Sequence, residues 1–187
     1  NDNPEITSES EITFDEDSSG SLILSATDVD IDDTLTFSIS EGESINHFIF
    51  GSTATFTAPM DYNGSENFTI TVTDSGGLTD TQIITVTVNA VNDIPVAQTG
   101  LTGTGEEDQS ISVLLSGSDV DGDVLTYSIT SSPASGSVDI SGSNATYTPD
   151  ANYNGSDSFV FEVSDGLETD TAIVNLTIIS VNDIPKL

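Results

Sequence analysis

Phe68-Thr69-Ile70-Thr71-Val72-Thr73 runs directly into Asp74-Ser75-Gly76-Gly77, and 91 positions on Phe159-Val160-Phe161-Glu162-Val163 runs into Ser164-Asp165-Gly166. Side chains alternate across an extended chain, so Phe68, Ile70 and Val72 face one way and the threonines the other. This is the period of a strand buried on one face, and the acidic glycine turn ends it. The same pattern recurs outward in both directions. Ile84, Val86 and Val88 form an inward set before the end of the repeat, and Leu35, Phe37 and Ile39 form one before the quoted stretch. Shorter apolar runs lie at Leu22-Ile23-Leu24, Phe48-Ile49-Phe50 and Thr53-Ala54-Thr55-Phe56, with a weaker one through Ile6, Ile12 and Phe14. No helical period of convincing length interrupts them. About seven short strands per repeat, separated by turn residues, predict an all-β chain of two tandem Greek-key, seven-stranded β-sandwiches.

The repeat is also written in its polar residues. Glu16 and Glu107, Asp28 and Asp119, Asp30 and Asp121, Tyr62 and Tyr153, and Asp74 and Asp165 are each 91 positions apart. Val91-Asn92-Asp93-Ile94-Pro95 returns as Val181-Asn182-Asp183-Ile184-Pro185, and the chain opens on Asn1-Asp2-Asn3-Pro4. Proline removes a backbone donor and holds its predecessor extended, so each junction is expected to be a stiff acidic connector. The expected domains are residues 1–93 and 94–187, in single file as a rod cut from a longer array.

Thirty-two Asp and Glu face a single basic residue, Lys186, for a formal net charge of −31. Nucleic acid and anionic membrane are poor partners for such a chain, and cations are good ones. With no cysteine, no disulfide staples the repeats. No run of about 18 apolar residues marks a membrane span.

Calcium takes six to eight oxygen ligands from carboxylates, amides and carbonyls. The Asp-x-Asp pairs Asp28/Asp30 and Asp119/Asp121 place two carboxylates on one side of an extended loop. Asp74 and Asp165 end alternating strands at one pole of their sandwich. An EF-hand is excluded, because that loop needs glycine sixth and an acid twelfth. Counting from Asp119 those places hold Val124 and Thr130, and from Asp28 they hold Asp33 and Ile39.

An early Glu, an Ala-x-Asp-x-Asp loop, an Asp turn and an Asn-Asp-x-Pro junction together resemble the cadherin-like repeats of bacterial surface adhesins. The resemblance covers the whole chain. It implies calcium at the central junction, held by Glu16 and Asp61 from the first domain, Asn92, Asp93 and the Ile94 carbonyl from the linker, and Asp119, Asp121 and Asp165 from the second. It implies a further ion at Asn1, Asp2 and Asn3 with Asp28, Asp30 and Asp74, and a weak or empty half-site at Glu107 and Asp183. The family's Leu-Asp-x-Glu turn is here Met60-Asp61-Tyr62-Asn63, and Ala151-Asn152-Tyr153-Asn154 in the second repeat, where a charged ligand has become an amide. Two like charges about 5 Å apart repel by roughly 3 kcal/mol at an effective dielectric near 20. Without cation the junction is expected to splay.

Catalysis finds little to work with: His47 is the lone histidine and reads as an ordinary strand residue. The paired carboxylates recur at the ends of modules and do not flank one cleft as in a glycosidase. The expected function is therefore a non-enzymatic, calcium-dependent adhesion or extender module of a large bacterial surface or secreted protein. Its expected partners are calcium, neighbouring repeats, and a cell-surface protein or polysaccharide. The rival is a calcium-dependent carbohydrate-binding module, against which stands the lack of Trp and the presence of only four Tyr as sugar platforms.

Overall fold

Threonine and the β-branched apolar residues favour a pleated, half-buried backbone, and where they alternate the chain is extended. The computed structural model describes residues 1–30 and 32–182, and the chain divides into two compact units, Asn1–Val91 and Asn92–Leu187. In the first unit the strands are β1 (Glu5–Ile6), β2 (Glu11–Asp15), β3 (Ser19–Ile23), β4 (Ala26–Thr27), β5 (Thr36–Ile39), β6 (Asn46–Phe50), β7 (Thr53–Thr57), β8 (Gly64–Thr73) and β9 (Thr79–Asn89). The second unit repeats them as β10 (Val96–Ala97), β11 (Thr102–Glu106), β12 (Ile111–Leu114), β13 (Gly117–Ser118), β14 (Thr126–Ser131), β15 (Gly136–Ser141), β16 (Asn144–Pro149), β17 (Gly155–Ser164) and β18 (Thr169–Ile179).

Each unit is a sandwich of a four-stranded and a three-stranded sheet, β2-β9-β8-β5 with β3-β7-β6, and β11-β18-β17-β14 with β12-β16-β15. These are the seven strands per repeat that the alternation predicts. The two-residue pairs β1-β4 and β10-β13 are additions that the sequence pattern is too short to reveal. β2 runs parallel to β9, and β11 parallel to β18, while the other pairs are antiparallel.

Phe68, Ile70 and Val72 of β8 and Ile84, Val86 and Val88 of β9 are all buried, as the alternation requires. Each such side chain contributes roughly 1.5–3 kcal/mol by leaving water. Across the sandwich Phe56 meets Phe68 edge to face, their centroids 5.3 Å apart. His47 lies inward on β6, its ring centroid 5.9 Å from that of Phe68. In the second unit Tyr147 takes the place of Phe56, and its hydroxyl is satisfied by Ser135 O and Asp157 Oδ2, both at 3.0 Å.

Asp157 gathers further donors: Ala134 N at 3.0 Å, Ser135 N at 2.9 Å and Ser158 N at 2.8 Å. Glu66, at the same place in the first unit, accepts from Ser44 N at 2.7 Å, Glu43 N at 3.0 Å and Ile45 N at 3.2 Å. Each carboxylate thus fastens the loop that leads into an edge strand. Burial pushes the Asp157 pKa up, but the three backbone donors and the Tyr147 hydroxyl outweigh it and hold the acid below its ordinary value. A depressed folded-state pKa gives stability that is present above the unfolded pKa, near 4, and is lost as pH falls through the folded value. Asp157→Asn is therefore expected to cost about 2 kcal/mol at pH 7. Thermal melts should show the gap to the native chain closing below about pH 4; a gap undiminished in acid would count against the clamp.

Candidate metal centres

Asp74 follows β8, where its Oδ1 accepts from Leu78 N at 2.8 Å and closes the turn into β9. The N-terminal segment is led to this turn because Asp80 on β9 accepts from Ile6 N at 2.9 Å. Asn1 then donates through Nδ2 to Asp74 Oδ2 at 2.8 Å. Its amide crosses Gly76 so closely that a Cβ there would lie 2.4 Å from the Asn1 nitrogen and would push the amide aside. Asp2 N donates to Asp30 Oδ2 at 2.8 Å, and Asp30 N donates to Asp28 Oδ1 at 2.8 Å. The Asp-x-Asp loop is therefore a turn folded onto its own first carboxylate, a tighter arrangement than the extended one that simple alternation suggests.

The second unit repeats three of these contacts, while its acidic loop closes differently, with Asp123 N donating to Asp119 Oδ1 at 3.2 Å. Asp170 accepts from Ala97 N at 2.9 Å, Asn92 Nδ2 donates to Asp165 Oδ2 at 2.9 Å, and Asp93 N donates to Asp121 Oδ2 at 2.8 Å. Asp165 Oδ1 closes its turn by accepting from Leu167 N at 2.6 Å and Glu168 N at 2.7 Å. Asp74 is acidified although burial opposes it, because Leu78 N, Asn1 and the Gly77 and Gly76 amides together prevail. Asp165 is held low by Glu168 N first, then by Asn92 and Leu167 N. Both are thus carboxylates, ready as ligands, throughout the neutral range.

Carboxylate oxygens of Asp28, Asp33 and Asp74 lie within 4.8 Å of one another, and so do those of Asp119, Asp121 and Asp123. Asp28 Oδ2, Asp33 Oδ2 and Asp119 Oδ2 are buried yet accept no hydrogen bond. A buried anionic oxygen without a donor is costly, and three carboxylates so close repel one another. This donor set fits calcium: hard oxygens, several of them charged, with amide and carbonyl oxygens of Asn1, Asn92 and the adjoining backbone close by. Asp33 and Asp123 are ligand candidates that sequence reasoning passed over. Both stand where the two acidic loops differ in length, so a search for equal spacing treats them as an insertion.

Glu16 and Asp61 lie at the other end of the first unit, roughly 30 Å along β9 from Asp74. Glu16 is buried, and its Oε1 accepts from Val91 N at 2.6 Å, fastening the exit of β9; Glu107 does the same for Val181 N at 2.6 Å. Asp61 and Asn152 are both left-handed, with φ of 55° and 57°, and each donates its N–H to an Asp in the turn between the second and third strands of its unit, Asp17 or Asp108. Acid and amide therefore serve the same turn, since Asp and Asn tolerate this conformation alike. Asn3 and Ile94 are exposed residues immediately before buried Pro4 and Pro95. Asp183 lies outside the described residues. Neutralising one crowded carboxylate should relieve repulsion when no cation is present. In chelator, Asp33→Asn and Asp119→Asn are each expected to raise stability by about 1 kcal/mol, or about 4–8 °C in melting temperature; a fall in chelator would show that these oxygens are not in conflict.

Known proteins give this architecture a family. The family model described as "Bacterial Ig domain" matches residues 1–87 and again 92–177. No curated protein matches the chain. Among solved structures, the chain is similar to Protocadherin Gamma B2 extracellular cadherin domains 1-5, with a TM-score of 0.61 and 17% identity over 97% of this chain and 41% of that one. It is similar also to the Protocadherin GammaB4 extracellular domain, with a TM-score of 0.58 and 17% identity over 94% of this chain and 33% of that one. The chain thus spans about two fifths and one third of those proteins, and at this identity the likeness is one of fold. With the domain matched twice and covering most of its length, the chain belongs to the bacterial Ig domain family, as two tandem repeats with a cadherin-like fold.

Proposed function

We propose that the chain is a calcium-dependent adhesion or extender segment of a bacterial surface or secreted protein, in which calcium at the acidic strand ends stiffens the linkage between successive repeats. The observation that carries this reading is the pair of clusters at Asp28/Asp33/Asp74 and Asp119/Asp121/Asp123, in which Oδ2 of Asp28, Asp33 and Asp119 is buried without a donor. A chain with one basic side chain in 187 residues cannot answer them from within. The ligands at the first cluster are Asp28, Asp30, Asp33 and Asp74, completed by oxygens of Asn1 and Asp2. At the second they are Asp119, Asp121, Asp123 and Asp165, completed by Asn92, Asp93 and the Ile94 carbonyl. Glu16 and Asp61 supply carboxylates from the end of the repeat that meets the next junction. Calcium is preferred to magnesium because this mixed, irregular set suits a larger ion that tolerates variable geometry. Bound calcium would neutralise the repulsion and fix the junction residues to the loops around them.

Ligand that binds only the folded state stabilises it by mass action, about 2.7 kcal/mol at a hundredfold excess over Kd, whereas salt only screens. Millimolar calcium chloride is expected to raise the melting temperature by at least about 5 °C over sodium chloride of equal ionic strength. Equal shifts in the two salts would refute specific binding. In the same series, solution scattering should give a shorter maximum dimension in chelator while the β-sheet circular dichroism is kept. An unchanged maximum dimension would reject the stiffening role and leave the binding role standing.

A further inference from the structure

The first repeat carries a second feature that its copy lacks. β6 is the outer strand of the sheet β3-β7-β6, and on its open side no strand pairs with it among the described residues. Its outward side chains are Asn46, Phe48 and Phe50, and the two rings are 67% and 80% exposed. Phe50 shares a row with Thr53 and Ile23, and Phe48 shares the next with Thr55 and Ser21. Ile23 is itself 71% exposed. Apart from it, β3 and β7 present only Ser and Thr on this face.

An exposed apolar edge strand invites pairing with another chain, and proteins usually blunt it with a charge or a proline. The second repeat does so. Its corresponding strand, β15, turns Ser137, Asp139 and Ser141 outward, so Asp139 stands where the first repeat has Phe48 and Ser141 where it has Phe50. The protection is therefore compatible with this fold, and the first repeat does without it. Its outward face is also free of charge in a unit that holds 17 carboxylate side chains and neither Lys nor Arg. A charge-free apolar centre within a charged surround is the arrangement of a protein interface, where contact does not require desolvating an unpaired ion.

We propose that this face and the open edge of β6 dock an extended strand of a partner protein that is apolar at alternate positions and carries Lys or Arg at its ends. Strand addition would satisfy the outward backbone groups of β6, while alternate side chains pack on Phe48, Phe50 and Ile23. The partner's charge follows from the surround: exposed Glu41 and Glu43 stand just before β6, and the net charge of −31 attracts a cationic segment and repels a second copy of this chain.

The double variant Phe48→Asp with Phe50→Ser installs the second repeat's own residues at these exposed positions, and an unchanged melting temperature would verify that it folds. The probe is a short synthetic peptide in which valine and threonine alternate between terminal lysines, titrated in calcium and physiological salt into the isotope-labelled whole chain. Amide shifts are expected to concentrate on β3, β7 and β6. The double variant should weaken binding by about tenfold or more, as should replacing the peptide's lysines by glutamate. The proposal is overturned if the variant binds the peptide as well as the native chain does, or if the shifts gather at the acidic loops, which would mean charge attraction alone. It is overturned equally if the β6 signals move with the chain's own concentration, or if a neutral polysaccharide such as xylan moves them and the peptide does not.

Discussion

The shortage of internal cations governs how this protein handles its acids. With 32 carboxylate side chains and one basic residue, ion pairing is closed to nearly all of them, so a carboxylate drawn inside must find N–H or O–H donors. Asp157 and Glu66 do so with runs of three consecutive or nearby amides, and Glu16 and Glu107 do so with the amide that leaves the last strand. Asp74 and Asp165 close the turn between the two longest strands in the same way. The acids therefore act as fasteners for loops, a task that disulfides or larger cores perform in other small domains.

Where donors run out, the same economy leaves charged oxygens exposed to one another. This happens where the incoming chain, the Asp-x-Asp turn and the β8–β9 or β17–β18 turn converge. The repetition extends to individual hydrogen bonds, Asp2 N to Asp30 matching Asp93 N to Asp121, and Asn1 to Asp74 matching Asn92 to Asp165. Sandwich packing does not need this crowding: the apolar cores of β8 and β9, or β17 and β18, lie along the strands and not at their ends. The convergence of acids is thus a feature superimposed on a fold that is already complete, which is why a bound cation explains it better than packing does.

Much of the architecture was legible because period-two alternation is a direct record of burial, as in Phe68/Ile70/Val72 and their copies. Asp28, Asp30 and Asp74 stood out as candidates because each recurs at a fixed offset in the second repeat. Asp33 and Asp123 escaped that test, since their loops differ in length and equal spacing fails there. The clamp by Glu66 and Asp157 was invisible for another reason: the loop amides it holds are 21 to 23 residues away and carry no sequence signature. The facing of Phe48 and Phe50 was not legible, because an apolar run of three fits either face. Only the register of β6 against β7 turns Ile49 inward and the rings outward.

Cation binding at these strand-end clusters would be a property of both repeats. It is tested most directly by anomalous scattering from crystals grown in calcium. The account predicts one peak among Asp28, Asp33 and Asp74 and another among Asp119, Asp121, Asp123 and Asp165, each ringed by oxygens at calcium distances of 2.3–2.6 Å. Well-ordered clusters without peaks, or calcium bound only at other carboxylates of the surface, would contradict it.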